Sequence, residues 1–192
     1  MTDVAVLVLW ILAVLLTWAG VVLAVFATRP KRHWLVVPSA IPVVGTLAFV
    51  MIAGGVPDAP VGLLGALHGL GLGLIGVIAG SPAVTLILRF ASRDTVVLGA
   101  HGGILVRRPN EPAPAPREIL RGGTTIGYLE RIALIGSVVV GQAAAVAVIV
   151  AVKGLGRFSE LENEQARERF IIGTLASLVW AGVCTAAIML AA

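Results

Sequence analysis

The stretch Ile126–Ser177 decides how this chain is read. It runs I-G-Y-L-E-R (Ile126–Arg131), an apolar segment holding Gln142, then V-K-G-L-G-R-F-S-E-L-E (Val152–Glu162). A connection of mixed charge follows, and then I-I-G-T-L-A-S (Ile171–Ser177). Two apolar segments of membrane length thus carry a small set of polar side chains, and a bilayer penalises such groups unless something holds them. Arg131, Gln142 and Lys153 are spaced by eleven residues each time. On one continuous helix, eleven residues make three turns plus about 20°, so the three side chains would fall on one line, about 16.5 Å apart. Gly127 and Arg157 extend that line by a turn at either end, and Glu130 sits about 100° round from Arg131.

Beside this row runs a ladder of small residues, Ala133, Ser137, Gly141 and Ala145, and the last apolar segment repeats the device in Gly173, Ser177, Ala181 and Thr185. Small residues every fourth position let two helix backbones approach closely. The sequence therefore predicts a close antiparallel pair, with Thr174 and Ser177 placed to hydrogen-bond across it. Gly154 and Gly156 interrupt the first member, and Ser159-Glu-Leu-Glu162 has the form of a capping box, which predicts a helix beginning at Ser159. Lys153 or Arg157 would then pair with Glu164 or Glu168.

Working outward, the composition agrees with a membrane setting. Of 192 residues, 58% are hydrophobic and 12% charged, and mean hydropathy is +1.02. Soluble domains carry about 25% charged residues. Five runs reach the roughly 20 apolar residues that a crossing needs: Val4–Ala27, Trp34–Ala53, Val61–Leu88, Ile132–Val152 and Phe170–Ala192. The expected class is all-α transmembrane with about five spanning helices. The first run lacks a basic flank and is too long for a cleaved signal, so it reads as a span. With the N-terminus outside, ten of the fourteen basic residues fall in inner connections. The positive-inside rule then favours N-terminus out and C-terminus in.

The second run carries Pro38 and Pro42, which predict a kink near its inner end. The third has Gly62, Gly65, Gly69, Gly73, Gly76 and Gly80 on one helical face, a packing stripe. Its Gly71-Leu-Gly73-Leu-Ile-Gly76 is a literal G-x-G-x-x-G, but no strand precedes it, so the dinucleotide reading fails. Ser81-Pro82 is expected to kink or end this helix. Between the third and fourth runs, Thr95–Leu98 and Ile104–Val106 flank Gly99–Gly103 and predict a small cytoplasmic β-hairpin. The Pro/Ala-rich linker Arg107–Arg117 follows. Three regions result: 1–88, an N-terminal three-helix membrane region; 89–125, the hairpin and linker; and 126–192, a C-terminal two-helix polar module.

Function classes narrow by exclusion. The basic residues lie beside apolar spans, which argues for membrane orientation and against nucleic acid. Cys184 is the sole cysteine, and His33, His68 and His101 have no partner at metal-ligand spacing. No cofactor is expected. Glu130 has no second catalytic group to work with, so an enzyme is disfavoured. Abundant Ala, Gly, Val and Arg with only two Lys points to a GC-rich bacterial genome and hence to the inner (plasma) membrane.

The C-terminal third also resembles a module of uncharacterised bacterial multi-spanning membrane proteins. The resemblance lies in I-L-R-G-G-x-x-I-G-Y-L-E-R (Ile119–Arg131), Gly141-Gln142, V-K-x-x-x-R-F (Val152–Phe158) and I-G-T-L-x-S (Ile172–Ser177). It departs at Gly154, where the module carries Ser after the Lys. It implies a shared site of Glu130, Arg131, Gln142, Lys153, Arg157, Phe158, Gly173, Thr174 and Ser177. The expected role is a non-enzymatic module that binds a partner helix, a lipid or a second copy of itself. The alternative is a small oligomeric transporter or channel lined by Arg131, Gln142 and Lys153.

Overall fold

The computed structural model describes residues 3–91, 104–106, 117–119, 123–156 and 164–191. Its body is helical: α1 (Asp3–Ala27), a 3-10 turn (His33–Leu35), α2 (Val36–Ser39), α3 (Ile41–Ala53), α4 (Gly62–Ala91), α5 (Gly123–Val139), α6 (Ala145–Gly156) and α7 (Glu164–Ala191). Between α4 and α5 the described residues hold a three-residue antiparallel pairing, β1 (Ile104–Val106) with β2 (Arg117–Ile119). The hairpin expected between Thr95–Leu98 and Ile104–Val106 has its first arm outside the described residues.

Four helical segments are long and apolar enough to cross a membrane: Asp3–Ala27, His33–Ala53, Gly62–Ala91 and Arg167–Ala191. The expected fifth crossing, Ile132–Val152, is not one helix. It breaks at Val140–Ala144, where Gly141 takes φ +80°, a left-handed conformation that suits glycine. The two pieces have 17 and 12 residues, each short of the roughly 20 that a crossing needs. The chain therefore folds back on itself.

The second span is interrupted where its prolines predict a kink: α2 ends at Ser39 and α3 begins at Ile41, with Pro42 in its first turn. The third span differs from expectation. Pro82 lies inside α4, which continues to Ala91. Missing one N–H is tolerable where other groups take up the freed carbonyls.

Helix α4 is the axis of the fold. It makes its most extensive contacts with α7 and α1. The α1 interface closes on small residues: a Cβ on Gly20 would come within 2.8 Å of Pro42, and one on Gly71 within 2.5 Å of Thr17 Cγ2. Leu72, Ile75 and Ala79 are fully buried beside Val21 and Ala24 of α1 and Cys184 and Ala187 of α7. A second cluster joins Leu134 and Ile135 of α5 to Ala181 of α7, with Val146 of α6 at its edge.

The order of contacts fixes the relative directions. Thr17 meets Gly71 while Gly20 meets Ile75, so α1 and α4 run in parallel. Gly73 faces Ile188 while Gly173 faces Val84, so α7 runs against α4. Ala191 shares a cavity with Leu9 and Trp10, so the two ends of the described chain lie at one pole. The expectation places the termini on opposite sides of a membrane; the folded fourth segment instead leaves four helices long and apolar enough to cross.

Candidate functional site

The folded segment builds the site. Helix α5 descends antiparallel to α4, with Arg131 beside Gly80 and Ile135 beside Gly76. The turn at Val140–Ala144 lies about 8–10 Å beyond Ile135, whereas the start of α4 at Gly62 lies about 21 Å beyond Gly76 at 1.5 Å per residue. The hairpin of α5 and α6 thus stops part-way along the bundle and returns to the pole it came from.

Arg131 is 3% exposed and pins this hairpin to the body. Its Nε donates to the Val77 carbonyl at 2.9 Å, Nη2 to Ser81 Oγ at 2.8 Å and Nη1 to Ser177 Oγ at 3.1 Å. Its guanidinium also lies over the Tyr128 ring, 5.2 Å from the centroid. One side chain thereby ties three helices, and glycine makes the room: a Cβ on Gly80 would sit 2.5 Å from Arg131 Cδ. A planar fork of donors suits this task, where a lysine would serve one acceptor at a time.

One residue earlier, Glu130 accepts from Lys153 of α6 in an ion pair whose side chains are largely buried. Removing either charge would strand the other in a poorly hydrated place. Thr174 Oγ1 is buried, with no hydrogen-bond partner among the described residues. Gly173, next to it, packs against Val84.

The structure brings Arg131 together with Ser177 and Glu130 together with Lys153. It does not form the expected row of Arg131, Gln142 and Lys153, because Gln142 sits in the turn and Lys153 has come back to the level of Glu130. Lys153 pairs with Glu130, and the side chains of Arg157 and Glu164 lie outside what is described. Arg157 and Ser159, where a helix start was expected, lie outside the described residues, and α7 is described from Glu164.

The small-residue faces divide. On α4, Gly69 and Gly73 face Ile188, Gly76 faces Ile135 and Cys184, Gly80 faces Arg131, and Gly65 meets Ala59. On α7, Ser177, Ala181 and Thr185 are buried. On the hairpin, Ser137 Oγ bonds its own helix at Leu134, and a Cβ at Gly141 would meet nothing within 4 Å among the described residues. The α5 face that packs is Arg131, Leu134 and Ile135.

Sequence reasoning missed two partners. The sequence marks Ser81 only as part of a helix break, yet it accepts a hydrogen bond from Arg131. The second is a cluster around His68, which is buried as a packing residue. Its Nδ1 lies 2.9 Å from Thr17 Oγ1 and its Nε2 3.1 Å from Thr46 Oγ1. The Trp10 ring meets it edge-on, and Trp10 Nε1 donates to the Pro57 carbonyl. A mainly apolar cavity of about 270 Å³ opens beside this cluster, between α1 and α3. No group of three or more His, Cys, Asp or Glu among the described residues could hold a metal ion.

No family model matches this chain, and neither a curated protein nor a solved structure matches it.

Proposed function

We propose that this is a multi-pass inner-membrane protein of a bacterium whose role is non-catalytic: a four-helix frame that presents a re-entrant helical hairpin to another membrane component. One observation carries the reading. Helix α6 has α5 as its one substantial neighbour among the described residues, and its outer face is bare, with Val148 63% and Val152 64% exposed. A short hairpin fastened by a buried arginine and an ion pair, yet open on its far side, is built to meet something else.

Orientation follows from charge. The described helix ends at Ala27, Ala91, Gly123, Gly156 and Glu164 lie at the pole opposite the termini. Arg29, Lys31, Arg32, Arg89, Arg167 and Arg169 lie at or next to those helix ends, while Asp3 and Asp58 belong to the other pole. The positive-inside rule assigns the basic pole to the cytoplasm, which puts both termini outside. The residues that carry the resemblance to bacterial membrane modules acquire a physical reading here. L-E-R supplies the anchor and one half of the ion pair, the later Lys supplies the other half, and G-T-x-x-S supplies the receiving face of α7. The transporter alternative loses the aligned polar row on which it was built, since Arg131 is occupied by Val77, Ser81 and Ser177.

The test is photo-crosslinking in native membranes from Val148 and Val152, with Leu12 and Leu15 of the lipid-exposed face of α1 as controls. Protein adducts are expected at the hairpin and lipid adducts at α1. Lipid adducts alone at every position would end the docking reading.

A further inference from the structure

Resting on the docking reading, we infer that the component met by the hairpin is a second copy of this chain, joined at the tip by pairing of Gln142 with its counterpart across a two-fold axis. The tip is where the membrane environment is least tolerant. Val140, Gly141 and Gln142 direct their N–H groups back to Gly136, Val138 and Ser137, and Ala145 bonds to Gln142. Among the described residues, the N–H groups of Ala143 and Ala144 and the carbonyls of Val140 and Gly141 have no backbone partner. Gly141, Gln142, Ala143 and Ala144 are all exposed. Non-helical backbone at membrane depth persists only where protein covers it or water reaches it, because hydrocarbon supplies neither donor nor acceptor.

The chemistry of the tip selects the occupant. A carboxamide carries both a donor and an acceptor, so two of them related by a two-fold axis satisfy each other with two hydrogen bonds. Such isologous contact is the commonest way identical chains associate. The tip carries no charge that would call for a complementary foreign partner, and the nearest charges, Arg131, Glu130 and Lys153, are all engaged within the protein. There is also open space over its glycines: a Cβ at Gly136 or Gly141 would meet nothing within 4 Å, and a residue without a side chain lets a second backbone approach closely.

The experiment uses the full chain in membranes, with Cys184→Ser to remove the one native thiol. Gln142→Cys, and separately Ala144→Cys, are oxidised or treated with a short bis-maleimide. A covalent dimer is expected at both positions and not at Leu12→Cys. Gln142→Leu, without any added cysteine, is expected to weaken dimerisation about tenfold by single-molecule photobleaching, in keeping with the loss of interhelical hydrogen bonds. A chain that is monomeric by photobleaching and gives no dimer at either cysteine overturns the inference. So does ready labelling of Gln142→Cys by a water-soluble maleimide, which would mean that a water-filled recess satisfies the tip. If crosslinking from Val148 and Val152 then captures a different protein, the docking reading stands and only the second-copy inference falls. If it captures lipid alone, both fall.

Discussion

Lys153 is in contact with Glu130, twenty-three residues earlier in the chain. On a continuous helix the two would be about 34 Å apart, so this contact requires the reversal at Gly141. Glu130→Cys with Lys153→Cys, in a Cys184→Ser background, should therefore form an intramolecular crosslink detectable by mass spectrometry after cleavage between them. Lys153→Ala should lower thermal stability in detergent by about 1–3 kcal/mol, less than the 3–5 typical of a fully buried pair because the residual charge lies near the open end of the hairpin. The exchange Glu130→Lys with Lys153→Glu should recover part of that loss. A double-cysteine variant that never crosslinks would return the segment to a straight span.

Arg131 and Gly80 occupy one space. Gly80→Ala places a methyl group where the arginine stem runs, and is expected to cost about 1–3 kcal/mol, the usual range for overpacking. Arg131→Ala should cost about 2–4 kcal/mol through the void and the lost hydrogen bonds. The two losses should not add, since in the Arg131→Ala background the new methyl fills part of the void. Thermal unfolding of the two single variants and the double variant measures this coupling. Additive losses would mean that the two residues act separately.

The same pair shows what could be read from sequence. The glycine stripe on α4 and the small face of α7 were legible because they repeat every three or four residues, and such spacing has one geometric meaning on a helix. The reversal at Gly141 was not legible. Valine and alanine continue on both sides of it, so the average hydropathy of a folded hairpin equals that of a straight crossing, and Gly-Gln at its centre is the one local sign. The sequence places Arg131 at one end of a straight polar row for a related reason. Its depth is set by Val77, Ser81 and Ser177, and those contacts exist only once α5 has docked.

Gly71 belongs to the face of α4 opposite the stripe, against Thr17. Gly71→Ala should destabilise the protein by about 1–3 kcal/mol. Gly45→Ala, which meets nothing within 4 Å, should be neutral or slightly stabilising, since alanine is the better helix former by up to about 1 kcal/mol. Thr17→Ser removes the crowding Cγ2 while keeping the hydroxyl that serves Ala13 and His68. It should therefore rescue Gly71→Ala, and failure of that rescue would locate the clash elsewhere.

His68 links α4 to α1 and α3 through two threonines. Thr46→Val keeps the shape and deletes the hydroxyl that meets Nε2. A buried ring nitrogen left without a partner costs about 1–3 kcal/mol, so thermal stability should fall by that amount. His68→Leu removes the polar group altogether and should restore part of the loss in the Thr46→Val background. If Thr46→Val is silent, the cavity beside His68 admits enough water to replace the hydroxyl.

The placement of the termini is the most direct check on the arrangement of the helices. Arg32, Phe90 and Glu168 are exposed and belong to the basic pole, at the ends of three different helical connections. Asp58 lies in the opposite turn, between α3 and α4. Single cysteines at these positions, again with Cys184→Ser, should divide cleanly when intact cells are treated with a membrane-impermeant maleimide. Asp58→Cys should be labelled, and Arg32→Cys, Phe90→Cys and Glu168→Cys should react only after the membrane is opened. A chain of five crossings would instead put position 168 on the side of position 58. Labelling of Glu168→Cys in intact cells would therefore straighten the fourth segment and remove the hairpin, and with it the contact between Glu130 and Lys153.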